Sequence, residues 1–303
     1  MIEFKTLTPQ DRPVYETLLS LVGERGCEYG FTNLYIWGRQ KVAFLHGHAV
    51  YFSQFNRKSV YLFPIGQGDK KIVIDAIIDD AESRGIPCRL GGLTEADCEE
   101  LHRLFPDRFH CHFDRDSFDY VYHIQDLCEL KGRKFQKKRN HLNRFRAERP
   151  DHKLIPMTLE NLPRVKAMAQ QWYEKRLSDN PHGDYHLEQA ALKKALRDFE
   201  ALGLEGVLLE DQGQLLAFAI GSALGETSFD IHFEKALDPN DGTYAAINQG
   251  FASYLQKRYP QLQWLNREDD MGLEGLRKAK LSYNPHHMIE KRWVGLMEDG
   301  YDY

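Results

Sequence analysis

Thr227-Ser228-Phe229-Asp230-Ile231-His232-Phe233-Glu234-Lys235 alternates apolar and ionisable side chains with a period of two, the pattern of a β-strand. In an unbroken strand Phe229, Ile231 and Phe233 share one face, and Ser228, Asp230, His232 and Glu234 share the other. The preceding run, Leu215-Leu216-Ala217-Phe218-Ala219-Ile220, is apolar on both faces, as in a strand deep within a sheet, and Gln212-Gly213 supplies a hairpin turn. Beside such a neighbour, a face with three ionisable groups lines either a wet cleft or bulk solvent. A site and an exposed face both remain open.

The flanking segments make this strand part of an α/β half. Residues 152–157 read as a strand, 159–175 and 187–202 as helices, 207–224 as two strands around the Gln212-Gly213 turn, 244–259 as a helix, 262–266 as a strand, 273–281 as a helix and 288–294 as a last strand. The first half follows the same plan. A strand at 2–7 leads through Thr8-Pro9-Gln10-Asp11 into a helix; alternating runs at 41–54 and 59–64, a helix at 71–84, a strand at 88–90, a helix at 95–105 and a strand at 118–124 follow. With 303 residues, 42% of them apolar and 28% charged, the chain has enough core for two folded domains. We expect an α/β protein with mixed sheets, duplicated at the level of elements: residues 1–130, a connecting helix at 131–150, and residues 151–303, which carry the site.

Several chemistries are excluded by search. Gly-Lys is absent, so there is no phosphate-binding P-loop, and Gly66-Gln67-Gly68 lacks the third glycine of a dinucleotide fingerprint. No Gly-x-Ser-x-Gly elbow, His-Glu-x-x-His helix or kinase signature occurs. The five cysteines, 27, 88, 98, 111 and 128, include no Cys-x-x-Cys, which argues against a disulfide framework. In His110-Cys111-His112 a strand would send the cysteine away from both histidines, so no metal is expected there. The longest uncharged apolar stretch, residues 215–224, is about half of the roughly 20 residues a membrane span needs.

Charge is uneven. The net value is −5, yet residues 131–149 hold nine Lys or Arg against the single acid Glu148, a local +8 that leaves −13 for the rest. On a helix Phe135, Leu142 and Phe145 form a narrow apolar seam, and Arg133, Lys134, Lys137, His141 and Arg144 point the opposite way. This stripe is either a solvated face or a contact for polyanions, RNA phosphates or anionic lipid head groups, through Arg133, Lys134, Lys137, Lys138, Arg139 and Arg144.

A second polar cluster, Asn266-Arg267-Glu268-Asp269-Asp270-Met271-Gly272, ends a strand and precedes a helix that carries Arg277, Lys278 and Lys280, with Tyr283 after it. Asp270 has the position of a helix N-cap; Asn266 and Glu268 have no such duty. Carboxylates opposite cations in one pocket suit an amino acid carried as an ester, holding its ammonium and stabilising an oxyanion. In the aromatic stretch 28–37, Glu28 and Asn33 are the candidates for a pocket, against a plain core role.

Three segments taken together, Lys131-Gly132-Arg133-Lys134-Phe135-Gln136-Lys137-Lys138-Arg139-Asn140-His141, His232-Phe233-Glu234-Lys235-Ala236 and Asn266-Arg267-Glu268-Asp269-Asp270-Met271-Gly272-Leu273-Glu274-Gly275-Leu276-Arg277-Lys278-Ala279-Lys280, resemble a bacterial family similar to the C-terminal domain of phosphatidylglycerol lysyltransferases. The resemblance implies two tandem GNAT-like (acyl-CoA N-acyltransferase-like) domains, as in Fem-type peptidyl transferases, which use aminoacyl-tRNA. Acetyl-CoA enzymes of that fold carry a glycine-rich loop whose amides cradle pyrophosphate at a helix N-terminus. Here the corresponding loop, Leu237-Asp238-Pro239-Asn240-Asp241-Gly242-Thr243-Tyr244, has one glycine and two aspartates. Each carboxylate would repel pyrophosphate by about 1 kcal/mol in water at about 4 Å, and by more when desolvated.

The resulting expectation is an aminoacyl- or acyltransferase in which an acceptor hydroxyl or amine attacks an activated ester borne by tRNA, with no cofactor required. Asp230, His232, Glu234 and Lys280 are the expected catalytic residues: His232 or Glu234 accepts the proton, and Lys280 or Arg277 stabilises the oxyanion. Asn266, Glu268, Asp269, Arg277, Lys278 and Tyr283 would bind substrate, Glu268 holding an ammonium. The alternatives are an N-acetyltransferase using acetyl-CoA and a non-catalytic module that binds RNA or a membrane surface. The expected place is the cytoplasm, at most peripheral at the inner membrane face, with no transmembrane segment.

Overall fold

The computed structural model describes residues 1–37, 40–55, 58–180, 185–238 and 242–299, apart from the side chains of Phe55 and Lys58. The first part of the chain runs β1 (Lys5–Thr6), α1 (Arg12–Leu19), α2 (Phe31–Ile36), β2 (Lys41–Leu45), β3 (His48–Phe55), β4 (Lys58–Gly66), α3 (Lys70–Arg84), β5 (Arg89–Leu93), α4 (Glu95–Leu104), β6 (Phe109–Phe113), β7 (Asp119–His123), α5 (Ile124–Glu129) and α6 (Gln136–Glu148). The second part runs β8 (Lys153–Pro156), α7 (Leu162–Asp179), α8 (His186–Arg197), β9 (Glu205–Asp211), β10 (Gln214–Ala223), β11 (Ser228–Ala236), α9 (Thr243–Arg258), β12 (Trp264–Asn266), α10 (Glu274–Leu281), β13 (His287–Ile289) and β14 (Arg292–Leu296).

These strands build two seven-stranded mixed sheets, in the orders β1-β2-β3-β4-β5-β14-β6 and β8-β9-β10-β11-β12-β7-β13, the second read from its far edge. In each, an antiparallel meander ends in a parallel pair, β4 with β5 and β11 with β12, joined by a crossover helix, α3 or α9. The duplication expected from the element order is therefore present in the pairing. The contiguous halves 1–130 and 151–303 are not the units of that pairing, however. β7 pairs with β12 and β14 with β5 and β6, so each sheet takes its sixth strand from the other half of the sequence. The compact units are Met1–Asp119 with Asp269–Gly272 and Ile289–Tyr303, and Tyr120–Glu268 with Leu273–Met288. Periodicity identifies strands but not their non-local partners, which is why the expected boundaries differ.

Local chemistry accounts for the other differences. The run at 41–54 is two strands because His46 (φ 47°) and Gly47 (φ 75°) form a two-residue left-handed turn that pairs Leu45 with His48. The run at 288–294 breaks at Glu290-Lys291, which separates β13 from β14. The first core packs Val73, Ile74 and Ile77 of α3 and Leu101 of α4 on Phe63, Leu90 and Val294. The second packs α9 against β9–β12 and takes in Phe135, Leu142 and Phe145, the apolar seam of the basic helix. Residues 215–221 of β10 are apolar because α9 and α7 both pack on the strand.

Candidate active site

In the second unit the parallel pair is short. β11 meets β12 only at Ser228–Trp264, Phe229–Leu265 and Asp230–Asn266; β11 then continues to Ala236 while the chain leaving β12 turns away at Glu268, whose φ is 57°. Diverging C-terminal ends of parallel strands open a crevice in which side chains from both strands can face a ligand.

β11 is bulged at this opening. Ile220 pairs with Phe233 and Gly221 with Ile231, which leaves His232 as the extra residue. The bulge reverses the faces beyond it: Phe229, Ile231 and Ala236 share the core with α9, and Glu234 accepts from Asn248 of α9 at 3.1 Å. Lys235 goes to the other side, over Trp172 at 3.7 Å and donating to Glu188 at 2.6 Å. The single ionisable face read from the alternation is thus two polar clusters. Gly221 permits the bulge, since a Cβ there would collide with the Asp230 carbonyl and, at 2.5 Å, with the Phe229 ring.

The first cluster centres on His232. Its Nε2 lies 2.8 Å from Ser222 Oγ, and its Nδ1 lies 3.1 Å from Glu268 Oε1 and 3.6 Å from Asp230 Oδ2. Ser222 and Asp230 are opposite each other in the β10–β11 ladder, and all but Glu268 are buried. The carboxylates favour a proton on Nδ1, which leaves Nε2 as the basic nitrogen facing the hydroxyl. Asn266 Oδ1 accepts from the Glu268 amide at 2.7 Å, and Lys280 Nζ donates to the carbonyls of Arg267 and, at 3.1 Å, Glu268. These contacts hold the turn that aims Glu268 at the imidazole. Asp230, His232 and Glu268 offer three donor atoms within 4.8 Å of one another, a set that would hold a divalent cation in place of the proton on the imidazole.

The second cluster is Glu234, Arg267, Asn248, Tyr122, Tyr283 and Lys138. Arg267 pairs with Glu234 at 3.1 Å and stacks on Tyr283 (5.0 Å) and Tyr122 (5.7 Å). Lys138, from the basic helix α6, sits 3.7 Å from the Tyr283 ring centroid; burial, and then the Arg267 charge, push its ammonium down to about 8.

Several expected site residues have other duties. Glu268 serves the imidazole rather than standing alone for a substrate ammonium, and Lys280 is engaged by backbone carbonyls rather than facing a reacting atom. Asp269 and Asp270 fall in the first unit; Asp270 is buried 3.6 Å from Arg115 and accepts from the Gly272 amide at 2.9 Å, so it closes a turn instead of capping α10. On α10, Arg277 is half-buried and Lys278 exposed. Of the helix cations, Arg139 donates to the carbonyls of Leu130 and Gly132, Lys134 pairs with Asp126 at 2.8 Å, and Arg144 lies 4.0 Å from Glu148. Arg133 and Lys137 are exposed. In the 237–244 loop Pro239, Asn240 and Asp241 lie outside the described residues. Sequence reasoning passed over Ser222, whose place opposite Asp230 depends on register, and Arg267, which lay inside the quoted motif without a role.

The first unit holds a buried charge cluster of its own. Lys291 Nζ lies 2.6 Å from both Asp119 Oδ1 and Glu28 Oε2, and Cys27 Sγ is 3.3 Å from Asp119. The ammonium fills the place where Cys27, Glu28 and Asp119 would otherwise hold a metal ion. Asn33 donates to the Cys27 carbonyl at 2.9 Å and accepts from the Trp37 indole at 3.1 Å, a role inside the fold.

Mixed sheets, each with a parallel pair and a crossover helix, repeated twice, define tandem GNAT-like domains, and a tandem GNAT protein from the clavulanic acid biosynthesis pathway superposes with a TM-score of 0.53 (7% identity, all of both chains). Residues 19–294 match the family described as phosphatidylglycerol lysyltransferase, C-terminal, and the chain belongs to it. A conserved protein of unknown function from Bacteroides thetaiotaomicron has 36% identity and a TM-score of 0.92 over 98% of this chain and 100% of that one. L-PGS from Bacillus licheniformis shares the fold at 16% identity, with a TM-score of 0.64 over 94% and 91% of the two chains. An uncharacterised protein of Mycoplasmoides gallisepticum is 24% identical over 180 residues, 59% of this chain; the match spans 56% of that relative's length. Fold and family are therefore those of the C-terminal domain of phosphatidylglycerol lysyltransferases, on a tandem GNAT-like architecture. Among the described residues no helix is long and apolar enough to cross a membrane.

Proposed function

We propose that this chain transfers an aminoacyl group from aminoacyl-tRNA to a hydroxyl or amine acceptor, at the opening beside β11 and β12 in the second unit. The observation that carries the reading is His232, held between the Ser222 hydroxyl and the Glu268 and Asp230 carboxylates. The acceptor attacks the ester carbonyl, and its proton passes through the Ser222 hydroxyl to His232 Nε2. The tetrahedral intermediate then expels the tRNA ribose hydroxyl, which takes that proton back. Lys138 and Arg267 are the cations of the second cluster and would stabilise the oxyanion. Arg133 and Lys137, on the outside of the basic helix segment, would meet tRNA phosphates or anionic head groups at a membrane surface.

Two features favour tRNA over acetyl-CoA as donor. In sequence Asp238 and Asp241 both precede α9, and Gly242 at its start lacks a Cβ that would run into the His141 carbonyl of α6, so α6 occupies the space beside the helix N-terminus. The acceptor named by the family, phosphatidylglycerol, is the first to test. Charged tRNA pools are incubated with the protein and either phosphatidylglycerol vesicles or soluble amines, and loss of the aminoacyl ester and its appearance on acceptor are followed. Wild type discharges one class of tRNA and His232→Ala does not. Micromolar acetyl-CoA binding with acetylation of an amine and no tRNA discharge would replace this reading with the N-acetyltransferase one. RNA or vesicle binding without turnover, unaffected by His232→Ala, would leave a binding module.

A further inference from the structure

Trp264 of β12 and His123 of β7 stand opposite each other in the antiparallel β7–β12 ladder, and their rings meet edge-on with centroids 5.3 Å apart. The chain that follows α10 brings two more imidazoles to the same indole. The His286 amide donates to the Val121 carbonyl of β7 at 2.8 Å, which fixes the chain as it enters the edge strand β13, and Pro285 restricts the backbone just before it. The ring centroids of His286 and His287 lie 4.8 Å and 5.3 Å from that of Trp264, and the two imidazole planes are 88° apart. Their Nδ1 atoms are 3.1 Å from each other. His286 is exposed, His287 and Trp264 are half-buried, and all four residues belong to the second unit. No step of the proposed transfer uses them.

We infer that His286 and His287 form a binding site for one divalent late transition-metal ion, held by both Nδ1 atoms and completed by water. As a hydrogen bond, the contact between the two rings uses one N–H and one lone pair. Moving that proton to the Nε2 of its own ring, the other neutral tautomer, leaves two Nδ1 lone pairs at the same spacing. Metal–imidazole bonds of about 2.05 Å spanning that separation meet at an angle of about 98°, between the right angle of square-planar or octahedral coordination and the tetrahedral angle. The site therefore needs little rearrangement to close on an ion. Both donors are imidazole nitrogens, which select Cu²⁺, Ni²⁺ and Zn²⁺ over the oxygen-seeking Mg²⁺ and Ca²⁺. The Trp264 indole packs on both rings and so lies beside the bound ion, where it reports occupancy by its fluorescence.

The test is titration of the full chain with NiCl₂, followed by calorimetry and by tryptophan fluorescence. Wild type is expected to bind Ni²⁺ with micromolar affinity, undisplaced by excess Mg²⁺, and to lose fluorescence as it does so. His286→Ala and His287→Ala should each weaken that binding at least about tenfold. Trp264→Phe should keep the affinity and lose the quenching. Circular dichroism checks that the variants fold, and a measurement on wild type alone decides the matter if one does not: copper with ascorbate in air oxidises the imidazoles that hold the metal, and peptide mass spectrometry is expected to find the added oxygen on His286 or His287. No micromolar Ni²⁺ binding, unchanged affinity in His286→Ala or His287→Ala, equal quenching in Trp264→Phe, or oxidation of other histidines instead would each overturn the inference.

Discussion

Lys291 and Asp119 are 172 positions apart in sequence, and their Nζ and Oδ1 atoms lie 2.6 Å apart in the interior of the first unit. Both mark places where the chain changes sheets: Asp119 opens β7, and Lys291 separates β13 from β14. Burial opposes the ammonium charge, yet Asp119, Cys27 and Glu28 hold Lys291 well above its usual range, while burial raises Glu28. Lys291→Met would leave the buried Asp119 and the half-buried Glu28 carboxylates uncompensated and is expected to cost about 3 kcal/mol of stability near neutral pH. A carboxylate whose folded pKa exceeds its unfolded one favours folding less as pH rises, so the loss should shrink toward about pH 5. Urea titrations at the two pH values check both statements.

Gly221→Ala should be disproportionately harmful for the addition of a single methyl group. The new methyl meets the Asp230 carbonyl and the Phe229 ring, and relief requires the β11 bulge to move. We expect a loss of about 1–3 kcal/mol, seen as a lower Tm, with transfer activity falling further than the stability loss explains.

Ser222 and Glu268 should separate by their kinetics. If Ser222 relays the proton and Glu268 holds the tautomer, Ser222→Ala lowers kcat about tenfold and Glu268→Gln about a hundredfold, with KM unchanged in both. Complete loss in Ser222→Ala, with a trapped acyl-serine in wild type, would instead make Ser222 the nucleophile. Chelators should leave the rate unchanged; a chelator-sensitive rate restored by a divalent ion would assign Asp230, His232 and Glu268 to metal.

Lys138 titrates near 8 in the folded chain, against 10.5 for an ordinary lysine, so the unfolded chain binds more protons between those values. Stability contributed through this residue therefore rises with pH across that window. Relative to Lys138→Gln, wild type should gain stability between about pH 8 and about pH 10, measured by denaturant midpoints at each pH.

The one-dimensional pattern determined the elements, the duplication of their order, and the segments that carry chemistry, because periods of two and 3.6 residues are local properties of the backbone. Asp230, His232 and Glu268 were legible as candidates from their clustering on strand and turn, and the resemblance named the family that the match over residues 19–294 shows. Three matters were decided only in the folded chain. Strand exchange places β7 and β14 in the sheets opposite to their sequence neighbours, since pairing partners are chosen by non-local hydrogen bonding. The bulge at His232 sends Glu234 to the α9 face, since one extra residue inverts every later side chain of a strand. Register alone puts Ser222 against His232, a hydroxyl that no pattern of residue types around it could single out.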